Sequence, residues 1–168
     1  MIASVLCLLF PVLLIYAAWS DLRTMEIPNW VSIVLALGFI PAAAATGLSL
    51  TDIGTHLAFG AAVLIICAGL FYVGVFGGGD AKVIAAASLW TGLAATGQFV
   101  MGMAIAGGLL AGVLIVLRRA KVQSEHKWAA RLLSPDEGAP YAVAIAAGAL
   151  LAAPASPVLA SGLGVIVA

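Results

Sequence analysis

Charge is what this chain has least of. Of 168 residues, 7 are basic and 7 acidic, 8% in all, against about 25% in a typical soluble domain. With 64% hydrophobic residues and a mean hydropathy of +1.22, that shortage excludes a soluble globular protein and indicates an integral membrane protein. A formal net charge of zero gives no basis for a nucleic-acid partner. Cysteine is nearly missing. Cys7 and Cys67 lie inside apolar runs, with no Cys-x-x-Cys and no Cys/His cluster, which argues against both a zinc site and a disulfide framework. The N-terminus lacks a basic segment, and its apolar stretch ends in Trp19-Ser20-Asp21, not in a small-x-small site. It reads as a first transmembrane helix, not a cleavable signal. No internal repeat or low-complexity linker divides the chain, so residues 1–168 read as a single polytopic membrane domain.

What is abundant is long apolar sequence, together with 19 glycines, which let membrane helices approach closely. A bilayer core needs about 20 apolar residues per helix. Ile2–Trp19, Trp30–Leu48 and Gly54–Phe76 each satisfy this. The run from Val83 to Val116 is too long for one helix and contains Thr96-Gly97-Gln98, so it reads as a hairpin with spans near Val83–Ala95 and Phe99–Leu117. The stretch from Ala139 to Ala168 is interrupted by Pro154 and Pro157 and reads as a sixth helix with an irregular tail. The expected fold is therefore all-α with six transmembrane helices.

The few charges test that count. Six spans place residues 21–29, 77–82 and 118–138 on one side. These segments hold all seven basic residues: Arg23, Lys82, Arg118, Arg119, Lys121, Lys127 and Arg131. The loops expected on the other side, 49–53 and 96–98, hold none. By the positive-inside rule both termini face outward, and Asp21 and Asp80 both face the cytoplasm. The cytoplasmic loop 118–138 is the only sizeable polar segment. It reads as a solvated topology-fixing loop or, given Val122, Trp128, Leu132 and Leu133, as a short interfacial helix.

Two of the seven acids stand out. Asp21 ends the first apolar run, and Asp80 follows Gly77, Gly78 and Gly79 at the end of another. A carboxylate at a bilayer boundary is a functional-site hypothesis, and two that meet form a candidate acid/base pair. Three glycines disfavour regular helix and permit positive φ or close backbone approach. At a membrane boundary such backbone must be buried in protein or line a watered cavity. The plainer readings are a turn with Asp80 as an N-cap, and Asp21 as a juxtamembrane cap. Each aspartate is followed two positions later by a base, Arg23 or Lys82, which serves either to anchor a helix end or to lower a carboxylate's pKa.

Gly77-Gly78-Gly79-Asp80 resembles the Gly-x-Gly-Asp signature of intramembrane-type aspartic peptidases. Asp21-Leu22-Arg23-Thr24-Met25-Glu26-Ile27-Pro28-Asn29 is similar to the other motif of type IV prepilin peptidases, an Asp, a base two later, then Ile-Pro-Asn. Pro140-Tyr141 also resembles the opening of that family's last helix. The length, with no cysteine-rich cytoplasmic domain, is similar to the short peptidase-only form associated with tight-adherence (Flp-type) pili.

The resemblance implies an aspartic endopeptidase that removes the basic leader of a prepilin or pseudopilin, a substrate continuing into a hydrophobic helix. Cleavage would occur at the cytoplasmic face of the inner membrane, without N-methylation. It implies Asp21 and Asp80 as the catalytic pair. Arg23, Ile27, Pro28, Asn29, Gly77, Gly78, Gly79 and Lys82 would be supporting motif residues, with no cofactor and no metal. An archaeal-type preflagellin peptidase, a proton- or cation-linked transporter subunit and a structural subunit of a secretion machine remain as alternatives. Glu26 reads as a solvated loop acid or a contact for a basic leader. His56 reads as structural, His126 as solvated, Asp52 as a cap, and Gly108 with Gly112 as a packing stripe within the bundle. Ser20 and Ser88 have no histidine in their motifs.

Overall fold

The computed structural model describes residues 1–75 and 77–164. Among these the chain is all helical. α1 (Ile2–Cys7) and α2 (Leu9–Thr24) run on as one apolar helix, interrupted only at Leu8. There follow α3 (Asn29–Ala45), α4 (Leu50–Tyr72), α5 (Gly78–Thr91), α6 (Thr96–Arg119), α7 (Lys127–Leu133) and α8 (Ala142–Ala152). A 3-10 turn (Ala153–Ala155) and α9 (Pro157–Leu163) complete the order. Phe76, the expected end of the third span, and residues 165–168 of the tail lie outside the described residues.

Ile2–Thr24, Leu50–Tyr72 and Thr96–Arg119 are each long and apolar enough to cross a membrane. α3 is apolar but has 17 residues, and α5 has 14. At 1.5 Å per residue α5 spans roughly 21 Å, against a hydrocarbon core of about 30 Å. α8 with its 3-10 turn and α9 pass the same test only as a pair bent by 77°. Pro154 and Pro157 sit at that bend, each without an N–H to continue a helix. Length and apolarity thus mark three spans, or four with the bent pair, where the hydropathy runs and charges predict six. Large side chains such as Leu37, Ile65, Leu109 and Val116 are more than half exposed, as expected of a surface whose solvent is lipid.

α5 is the central element, and its residues from Val83 to Thr91 are all buried. Small side chains at Ala85, Ala86 and Ala87 allow neighbours on every side. Trp90 anchors its far end, donating Nε1–H to Leu35 O at 2.8 Å and meeting Phe10 and Phe39 at ring centroid distances of 5.6 and 5.9 Å. A Cβ at Gly60 would run into the Leu89 side chain, so this glycine lets α4 close onto α5. α6 and α8 form the most extensive helix pair. There a Cβ at Gly148 would stand 2.6 Å from Phe99 O, and one at Gly102 would stand 2.9 Å from Gly148 Cα.

Three expectations are corrected. Gly108 and Gly112 do not pack within the bundle. A Cβ at either would meet nothing within 4 Å, and both line an apolar groove on the outer face of α6. The close approach is made by Gly102 on another face. The break between the fourth and fifth helical segments falls at residues 92–95, and Thr96-Gly97-Gln98 already opens α6. Gly92 supplies a positive φ of 64°, and His56 occupies the space where its Cβ would be. Asp80 is not the N-cap of α5. That position is Gly77, and Asp80 lies in the first turn.

Candidate functional site

The site begins where α2 stops. Met25 adopts a left-handed conformation (φ 58°, ψ 27°), and its N–H donates to Asp21 O at 2.8 Å. A non-glycine residue in that region carries strain of about 1–2 kcal/mol, which surrounding bonds must offset. Ser20 Oγ donates to Glu26 O at 2.9 Å, and Thr24 Oγ1 donates to Ser20 O at 2.9 Å. Pro28, extended at φ −60° and ψ 133°, then delivers Asn29 as the first residue of α3. The polar turn between two apolar helices is thereby held by its own hydroxyls.

The second wall is the start of α5. None of Gly77, Gly78 and Gly79 has a positive φ among the described residues, so their use here is close approach. A Cβ at Gly77 would stand 3.0 Å from Asp80 Oδ2, one at Gly78 3.4 Å from the Phe71 ring, and one at Gly79 3.3 Å from Ile27 Cβ. The last contact presses the glycine motif directly against the Ile27-Pro28-Asn29 motif. A second link joins the same two segments, with Lys82 Nζ donating to Asn29 Oδ1 at 2.8 Å.

Between the walls lies a cavity of about 310 Å³, lined by Asp21, Asp80, Met25, Glu26, Ile27, Asn29 and the three glycines. Asp21 is only 6% exposed, and its Oδ2 accepts the backbone N–H of Ala142, at the start of α8, at 2.9 Å. Asp80 is half-buried in the first turn of its helix, where unpaired N–H groups favour a negative charge. Burial and then the charge of Asp21 nevertheless push its carboxyl up, from 3.8 to about 6, against a backbone hydrogen bond at Gly77 that lowers it. A pair of this kind can hold one proton near neutral pH, leaving one oxygen set to accept a proton and another to donate.

Among the described residues, neither neighbouring base is turned to an aspartate. Arg23 lies over the Trp19 ring at 4.8 Å, and Lys82 is engaged by Asn29. Glu26 is exposed yet on the cavity wall, so it faces the site as well as solvent. The other candidates are structural. Ser20 is used by Glu26 O, Ser88 Oγ donates to Ile84 O at 2.8 Å, and His56 Nδ1 lies 2.6 Å from Leu89 O at the opposite end of α5. Asp52 receives the Ser49 hydroxyl at 2.6 Å, and Ser49 is the cap.

Sequence reasoning misses the Ala142 N–H, because a backbone donor carries no residue signature. It misses Met25, whose left-handed turn is usually announced by Gly or Asn. The 118–138 loop folds back onto this end of the molecule. Arg131 donates to Thr24 O at 3.1 Å, and Arg118 donates to both Leu132 O and Gly138 O.

No curated protein and no solved structure matches the chain. A family model does, that of the type IV leader peptidase family, over residues 8–116. The matched region contains both cavity walls and both aspartates, and it covers well over half of the sequence. This membrane-helical chain, with its two motifs joined around one carboxylate-lined cavity, belongs to the type IV leader peptidase family.

Proposed function

We propose that the protein is an aspartic endopeptidase that removes the basic leader of Flp-type prepilins at the cytoplasmic face of the inner membrane, and that it does not N-methylate the product. The observation that carries this reading is the shared cavity, with Asp21 from one motif and Asp80 from the other on its walls. The distribution of basic residues supports six spans with both termini outward. In that arrangement α3, α5 and the bent α8–α9 pair complete the crossing set.

The chemistry needs nothing beyond the pair and a water. The ionised carboxylate takes a proton from water as its oxygen attacks the scissile carbonyl carbon. The protonated carboxyl hydrogen-bonds the carbonyl oxygen as negative charge develops there. Collapse of the tetrahedral adduct breaks the C–N bond, and a carboxyl proton goes to the leaving nitrogen. The dyad titrates as a unit, and the Ala142 N–H holds Asp21 in place throughout.

The test is cleavage of a purified prepilin in detergent, with and without S-adenosylmethionine. Release of the leader with a free, unmethylated N-terminal amine is expected. An intact substrate, or a methylated product made by this protein alone, would overturn the corresponding half of the reading.

A further inference from the structure

We infer that Lys82 and Asn29 form a positioning latch that sets the separation of Asp21 and Asp80, and that this latch is required for the turnover step but not for substrate binding. The inference rests on the peptidase reading above and adds a task for two residues outside the dyad.

Among the described residues no hydrogen bond joins α2 and α5, the helices that carry the two aspartates. Asp21 is fixed to the 25–28 turn, since Met25 N–H is held by Asp21 O and Ser20 Oγ by Glu26 O. Asp80 is fixed to the first turn of α5. Only two contacts described above run from that turn to the next: Ile27 against Gly79, and Lys82 Nζ to Asn29 Oδ1. The first is apolar and sets a minimum distance. The second is directional and sets a maximum. Lys82 is two residues beyond Asp80, and Asn29 immediately follows the turn, so this bond ties the segment carrying Asp80 to the one that follows Asp21.

Lys82 is well suited to the task. Its long stem reaches from α5 to the start of α3, and its ammonium has three donors, of which the Asn29 amide oxygen takes one. Asn29 supplies a neutral acceptor, which leaves the charges around Asp80 unchanged. Those charges are Asp21 on α2, Glu26 on the turn and Lys82 on its own helix. Arg23 is turned to Trp19, and Arg131 to Thr24 O.

The consequence is a specific kinetic signature. A misplacement of about 1 Å at a reacting centre is worth up to about a hundredfold in rate, so Asn29→Leu and Lys82→Met are each expected to lower kcat on the order of ten- to a hundredfold, with KM within about twofold. The double variant should be no worse than either single, because one bond is lost in all three. Asn29→Gln, which keeps a neutral amide acceptor, should retain more of the activity than Asn29→Leu. A wider carboxylate separation also weakens the repulsion that raises Asp80. The fall of kcat/KM at high pH should therefore begin at lower pH in Asn29→Leu, which changes no charge near Asp80.

The assay uses the full-length enzyme in detergent, with a fluorogenic prepilin peptide and a thermal melt for every variant. A variant that melts far below wild type is replaced by the double substitution Asn29→Cys with Lys82→Cys, read before and after the two thiols are joined by a short crosslinker. Gain of kcat on closure supports the latch, and no gain overturns it. Losses carried by KM, losses that add in the double variant, or an unmoved pH profile in Asn29→Leu also overturn it. If wild-type enzyme cleaves no prepilin, the peptidase reading itself fails, and that result is distinct from all of these.

Discussion

Asp21 Oδ2 accepts the backbone N–H of Ala142 at 2.9 Å, a bond spanning 121 positions of sequence. It joins the first aspartate motif to the opening of α8, a helix outside the region that matches the family model. A buried carboxylate with such a donor keeps a defined orientation in either protonation state. The partner is a main-chain group, so no side-chain substitution at 142 removes it directly.

Asp21→Asn and Asp80→Asn should each insert, fold and lose nearly all cleavage. Asparagine preserves size and, at position 21, an acceptor for Ala142 N–H, but it is neither an acid nor a base near neutral pH. General acid–base catalysis is worth about 10²–10⁴-fold, so losses on the order of a thousandfold are expected. The double variant should be scarcely worse than either single. The measurement is the prepilin cleavage rate of membranes normalised for enzyme level. Substantial activity in either single variant ends the dyad assignment.

Asp80 should also make stability depend on pH in the direction opposite to most carboxylates. Its carboxyl is raised from 3.8 to about 6, so the folded protein binds more protons than the unfolded chain between those values. Stability from this group therefore falls as pH rises from about 4 to about 6 and is level above that. Asp80→Asn removes the penalty. Its melting temperature should exceed wild type at pH 8, and the gap should close at pH 4. A variant that melts lower than wild type at pH 8 would contradict the burial argument. Activity should decline as pH rises beyond about 6, because the pair then loses its proton.

Glu26 lies on the cavity wall beside two other carboxylates, and among the described residues no basic side chain lines that space. A substrate with Lys or Arg near the scissile bond is favoured there. Glu26→Gln should raise KM for such a peptide about three- to fivefold, the scale of an exposed ion pair, and leave kcat unchanged. The effect should fade at high salt. Equal KM values for wild type and variant at low salt would remove Glu26 from recognition.

Reporter fusions at Met25 and Gln123 should read cytoplasmic, and one at Thr51 external. The prediction follows from seven basic residues on one side and none on the other. A cytoplasmic signal at Thr51 would separate the two aspartate segments across the membrane and remove the cavity they share.

Much of this site was legible in the sequence because its chemistry sits in side chains. Two isolated acids among apolar runs, one after three glycines and one before Ile27-Pro28-Asn29, single out both cavity walls. The helical class follows from the apolar runs. What was not legible depends on direction in space. Gly108 and Gly112 have the spacing of a packing stripe, but spacing does not say which face of α6 meets α8, and Gly102 makes that approach instead. Composition points to Thr96-Gly97-Gln98 for the break before α6, whereas the chain turns at Gly92, where the ring of His56 leaves no room for a side chain. Arg23 and Lys82 were legible as bases near acids. Their partners, Trp19 and Asn29, are set by side-chain reach.

The two ends of α5 are held in very different ways. At the far end Trp90 Nε1 bonds Leu35 O, His56 sits on Leu89 O, and the Ser156 hydroxyl donates to Trp90 O at 2.5 Å. At the near end stand glycines and an exposed lysine. Mechanically the helix is a lever, clamped by three buried hydrogen bonds at one tip and held by the single Lys82–Asn29 bond at the other, with Asp80 roughly 15 Å from the clamp at 1.5 Å per residue. Damage to the clamp, such as loss of His56 at the opposite end of the helix, would reach the chemistry as lost aim of a carboxylate it never touches.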